Sequence, residues 1–169
     1  LHLLLIIKLV KHTSMLLTET ADQKFLLRYV KDYCEALAEN YRIYHKRTLQ
    51  GNLSGDYPEY AREQLQAMED GTANLMRFRM QEGKKYYKII QEEYRDASEY
   101  YGTKEGYTDR SVHSFVGKDK SILGNVYKPA SWKAPHTKHV RFTFQKPEDL
   151  RKLLDPNFVD WAGGYLYLR

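Results

Sequence analysis

Between Gly71 and Met76 the hydrophobic pattern of this 169-residue chain changes its period, and that change limits the folds open to it. Before it, Leu26, Val30, Tyr33, Leu37, Tyr41 and Tyr44 recur every three or four residues. That spacing lays one apolar stripe along a helix over about residues 21–48. After it, Met76, Phe78 and Met80 alternate with Arg77 and Arg79, the period of a half-buried strand. Helices first and strands second, in a chain of single-domain length, predict an α+β fold. The expected form is an N-terminal helical hairpin packed on a small, mostly antiparallel sheet of five or six strands.

Local signals place the elements. Thr20-Ala21-Asp22-Gln23 has the form of a helix capping box. Gly51, Asn52, Ser54, Gly55 and Asp56 read as a loop, and Pro58 as the first turn of a second helix that Gly71 ends. A β-hairpin is expected over about 74–81 and 84–92, around Gly83. Residues 93–101 fit a helix as well as a strand, and 102–109 are turn-rich. Ser111–Val116 reads as a strand with Val112, Ser114 and Val116 on one face and His113 and Phe115 on the other. Val126–Lys128 and Val140–Phe144 read as further strands, Pro147 to about Leu154 as a short helix, and Tyr165–Leu168 as a last strand. One domain is expected over 15–169, helical over 15–72 and sheet over 73–169. The apolar start, LHLLLIIKLV, is too short to cross a bilayer and has no basic segment before it. Residues 1–14 are expected to be a non-native or disordered start, with Met15 opening the domain.

Charge is unevenly spread. Arg110 to Arg141 holds seven Lys/Arg against one acid, Asp119, a net +6 in a chain whose total is +5. The basicity is therefore local, and it falls among strands and aromatics. Such a surface points to a polyanion partner more than to a reaction. Lys118, Lys120, Lys128, Lys133, Lys138 and Arg141 are candidate phosphate contacts. Tyr127 and Trp132 are candidate stacking residues, each worth about 1–3 kcal/mol per stacked base. The competing reading is a solvated basic rim with Trp132 tucked onto the sheet as a lid.

Other constellations carry less. The single cysteine, Cys34, excludes an internal disulfide and a multi-cysteine zinc site, and its setting beside Tyr33 and Leu37 predicts a buried, inert thiol. His136 and His139 face opposite sides of an extended segment, and no neighbouring acid or cysteine completes a metal site. His113, with Asp109 and Asp160 elsewhere, can be imagined as acid–base machinery, but a histidine on the aromatic side of a strand is more often packed and hydrogen-bonded. No serine elbow, phosphate loop or H-E-x-x-H sequence occurs, so neither an enzyme nor a cofactor is expected. The Tyr/Leu stripe of the first helix suits core packing, with a seat for a partner helix as the alternative.

The strings GKKYYKI, SVHSFV, GNVYKPASWKAP and DWAGGYLY stand at Gly83–Ile89, Ser111–Val116, Gly124–Pro135 and Asp160–Tyr167. Chained in this order, they resemble a family of small uncharacterised proteins of tailed bacteriophages, often marine ones, over about residues 75–169. The chain departs from that pattern by an insertion at 93–109 and a longer turn at Lys118–Leu123. The resemblance implies a phage gene product in the cytoplasm of a bacterial host, or on the virion, and implies no activity. The sequence therefore predicts a non-enzymatic accessory protein whose basic aromatic face contacts single-stranded nucleic acid or another polyanion. The alternative is a protein-interaction or virion-associated structural protein, binding a host or phage protein through its N-terminal helices. No membrane partner is expected.

Overall fold

The computed structural model describes residues 23–167; the capping box beginning at Thr20 and the reading of residues 1–14 lie outside them. Two helices come first, α1 (Gln23–Asn52) and α2 (Pro58–Asp70). Pro58 opens α2 where its missing N–H is no loss, and Gly71 closes it in the left-handed region at φ 73°. Five strands follow: β1 (Arg77–Glu82), β2 (Tyr86–Arg95), β3 (Gly106–Gly117), β4 (Asn125–Tyr127) and β5 (Phe142–Thr143). They form one sheet in chain order, every neighbouring pair antiparallel. A short helix α3 (Pro147–Leu153) and two 3₁₀ turns, Lys120–Ile122 and Gly164–Leu166, complete the α+β fold. Among the described residues no helix is long and apolar enough to cross a membrane.

The stripe of α1 makes the core. Leu26, Tyr29, Val30, Tyr33 and Leu37 pack on Phe78, Tyr87, Ile89, Val116, Val126 and Phe144, and Leu150, Leu153, Val159 and Leu166 close the edge. Burying each such side chain contributes about 1.5–3 kcal/mol. α1 carries the packing onto the sheet, while α2 lies along its distal part, where Leu49 and Ala61 are buried.

Several expectations need correction. α1 runs through Gly51 and Asn52, expected as loop, because Leu49 is still gripped and the loop needs only the residues up to Tyr57. Glu93–Arg95 continue β2 and pair with Gly106–Thr108, so 93–109 is mostly an extension of the β2–β3 hairpin. The register slips between Ile89 and Ile90, leaving His113 as the extra residue of a bulge. His113 is thereby turned to the same side as Ser114, against Tyr33, Phe78 and Tyr165, so the expected strict alternation fails there. The expected strand at Val140–Phe144 shrinks to two residues, because the N–H of Thr143 goes to the carboxylate of Asp149 at 3.0 Å. The expected last strand is instead a helical turn. The Asp160 carboxylate accepts from the N–H groups of Ala162 (2.9 Å) and Gly164 (3.2 Å), and Gly163 sits at φ 84°.

Candidate functional site

The β1–β2 turn and the β3–β4 connection meet at one end of the sheet, whereas the loop after β4 leaves from the opposite end of that strand and reaches β2 where Lys88 stands over Trp132. Backbone bonds fix the turn and the connection together. The N–H of Lys118 donates to Lys85 (2.9 Å) and that of Gly124 to Gly117 (3.0 Å). Gly117 is required by close approach, since a Cβ there would lie 2.1 Å from the carbonyl oxygen of Ile122. The loop after β4 is a tight reversal framed by Pro129 and Pro135. Ser131 Oγ accepts from the N–H groups of Lys133 and Ala134, both at 3.2 Å, which sets Trp132 and Lys133 at its tip. His136 N and Arg141 N then donate to Lys128 O (2.8 Å) and Val126 O (2.9 Å), zipping the return along β4.

The candidate residues divide on this frame. Trp132 is 44% exposed, with the Lys88 ammonium 5.4 Å from its ring centroid, so the indole is neither a lid nor fully free. Lys133 and Lys138 are exposed, as is Lys120 in its short turn. Lys128 Nζ stands 4.2 Å over the ring of Tyr167. Arg141 is half-buried, and its Nε and Nη1 atoms are enclosed without an acceptor. Two residues drop out. Tyr127 is only 3% exposed, packed edge-on to Tyr86 and accepting from Asn125 Nδ2 at 3.3 Å, so it cannot stack on a base. Lys118 is neutralised by Glu82 at 2.7 Å and bonded to Gly83 O at 3.0 Å.

Charge compensation is what separates the segment after β3. From Lys120 to Lys146 there are six Lys/Arg and no acid. Among the described residues no carboxylate lies within ion-pair distance of Lys120, Lys128, Lys133, Lys138 or Arg141. Sequence reasoning missed Lys88, which β2 brings beside Trp132. Strand alternation set Tyr86 and Lys88 on one face, but only the β2–β3 register places Lys88 over Phe115 and Trp132.

His113 lies elsewhere, in a seam between β3, α1 and the C-terminal segment, and is 4% exposed. Its Nε2–H donates to Asp160 O at 3.0 Å, which leaves Nδ1 to accept from Ser114 Oγ at 3.0 Å. Ser114 Oγ meets the Tyr33 hydroxyl at 3.4 Å, and Tyr33 in turn meets the Tyr165 hydroxyl. Burial pushes the imidazole down to about 4, against the smaller upward pull of the Asp160 carbonyl. Burial likewise raises both tyrosines. The group is a neutral, packed histidine with both ring nitrogens committed. Gly163 backs it, its Cβ position 3.8 Å from the ring. Cys34 is buried on α1, its thiol pushed up to about 12 by burial and then by Glu35, which fits an inert thiol. No three metal-ligating side chains come together among the described residues.

A family model, described as a family of unknown function (DUF7717), matches residues 9–168. No curated protein and no solved structure matches the chain.

Proposed function

We propose that this chain, which belongs to the family of unknown function DUF7717, binds single-stranded nucleic acid through the β4–β5 edge of the sheet, where the connecting loop carries Lys128, Trp132, Lys133, Lys138 and Arg141. Lys88, whose ammonium stands 5.4 Å from the Trp132 ring centroid, extends the surface. The observation that carries the reading is the run of cations left without carboxylates beside a half-exposed indole. An uncompensated positive field attracts phosphates, and an exposed indole offers a stacking face that an unpaired base can use. The competing solvated rim has no use for the indole or for the enclosed Arg141. On this reading the protein is a non-enzymatic accessory protein. The likeness of its four strings to tailed-phage proteins supports a place in the cytoplasm of an infected bacterium.

The test is fluorescence polarisation of a labelled single-stranded oligonucleotide across a salt series. Five phosphate contacts on a single strand give a log–log salt slope of about −3.5, or roughly 100-fold weaker binding between about 50 and 200 mM salt. Lys128→Ala with Lys133→Ala is expected to weaken binding about 10-fold and to flatten the slope by about 1.4. Trp132→Ala is expected to weaken binding at every salt concentration without changing the slope. Absence of binding at about 50 mM salt, where phosphate contacts are strong, removes the reading.

A further inference from the structure

We infer that the α1–α2 hairpin is a self-association surface whose occupant is the same hairpin of a second copy. The inference rests on a different part of the molecule from the proposed nucleic-acid surface. α1 leaves the core early: beyond Tyr44, which still touches Trp161, about 12 Å of helix continues to Asn52. α2 lies along this projecting part and has one buried residue, Ala61. A helix of thirteen residues is marginal on its own and relies on tertiary packing. Yet large apolar side chains here face water: Tyr57 is 83% exposed and Tyr60 62%, and Leu53 in the connecting loop is exposed too.

Charge identifies the occupant. From Tyr41 to Asn52 the chain carries Arg42, Lys46 and Arg47 and no acid. α2 carries Glu59, Glu63, Glu69 and Asp70 against Arg62. The two stretches are thus +3 and −3. Their ion pairs stay within each helix, Arg42 with Glu39 at 2.7 Å and Arg62 with Glu59 at 3.9 Å, and among the described residues none crosses between the helices. A polyanion is opposed by α2, and a polycation by the end of α1. A second hairpin related by a twofold axis sets each α1 against the other copy's α2, matching both signs at once. The shape agrees. Tyr57 and Tyr60 stand at a hollow of about 470 Å³ formed with Asn52, Gly55, Asp56 and Ala61. Projecting rings beside a hollow on one patch are what a self-complementary surface needs.

The patch is small. α2, about 20 Å long, beside the projecting end of α1, about 12 Å long, offers a footprint of roughly 300 Å² per copy, against about 800 Å² for a stable interface. The dimer is therefore concentration-dependent, with dissociation in the micromolar range or weaker. Sedimentation equilibrium of the full chain at about 50 mM salt, where surface charges act over roughly 14 Å, tests it. A monomer–dimer equilibrium is expected, weakened at least 10-fold by Tyr57→Ser with Tyr60→Ser and weakened further by added salt. Circular dichroism of the double variant is expected to match the parent, since both side chains are exposed. A monomer at every concentration up to several hundred micromolar overturns the inference. So does a dimer indifferent to the double substitution. Lys128→Ala with Lys133→Ala leaves the dimer unchanged, so this reading and nucleic-acid binding fail separately.

Discussion

The seam under the C-terminal segment and the β4–β5 end of the sheet are both rich in polar side chains, and the chain treats them in opposite ways. In the seam each polar group has a fixed partner. Asn40 donates to Pro156 O and accepts from Trp161 N, both at 2.9 Å. Gln91 donates to Trp161 O and accepts from Ser111 Oγ, while His113 spans Ser114 and Asp160 O. At the β4–β5 end, cations from Lys120 to Arg141 have no carboxylate among the described residues. The chain does pair charges where acids are at hand: on the β1–β2–β3 arm Arg77, Arg79, Arg95 and Arg110 each meet one. A buried polar group left unpaired costs about 1–3 kcal/mol, whereas an exposed cation is held by water at little cost. Satisfied polarity therefore marks stability, and the uncompensated cations are not part of it.

The largest expected effect comes from the seam. His113 has a folded-state value of about 4 against 6.5 for a free imidazole. Between those pH values the unfolded chain binds a proton that the folded chain refuses, so stability falls as pH drops from 6.5 to 4. The expected loss is about 3 kcal/mol. Urea unfolding at pH 7, 5.5 and 4 measures it. His113→Gln is expected to be less stable at pH 7 and to have a shallower pH dependence. Equal slopes for the two proteins would show that the seam is not closed around a neutral base.

A smaller effect is expected one step along the seam. Asn40→Ala leaves the carbonyl of Pro156 and the N–H of Trp161 without their partner, at a cost of about 2 kcal/mol. Hydrogen exchange at the Trp161 amide should accelerate with it. Unchanged protection there means that the C-terminal segment is held by its apolar contacts, Val159 and Leu166, and that the polar bonds are incidental.

Much of the fold was legible because it depends on local pattern. The stripe from Leu26 to Tyr44, Pro58 and Gly71 around α2, and the alternation at Met76–Met80 each act within a few residues of chain. What sequence could not supply is pairing. Residues 106–109 look like a turn until Glu92–Arg95 lie beside them. A bulge made by the β2–β3 register, not by residue type, turns His113 into the core. The candidate site divides the same way. Lys128, Trp132, Lys133, Lys138 and Arg141 could be gathered from one basic segment. Lys88 joins them only through strand pairing, and the loss of Tyr127 to the interior and of Lys118 to Glu82 is visible only in three dimensions.

The smallest expected change in stability tests the other side of the comparison. Lys128→Ala with Lys133→Ala removes two cations from the open end. If that end is kept for a partner, the folded state should not depend on them, and stability should move by less than about 0.5 kcal/mol. Lys128 is the harder half of the test, because its ammonium stands over Tyr167 and a cation–aromatic contact at an exposed site contributes about 0.5–1 kcal/mol. Removing it, however, also relieves repulsion from neighbouring cations that no acid screens, and the two effects oppose each other. Urea unfolding of the single and double variants separates them. A loss above about 1 kcal/mol in Lys128→Ala would make this lysine a structural group of the same kind as His113, and the line between satisfied and open polarity would have to be redrawn around it.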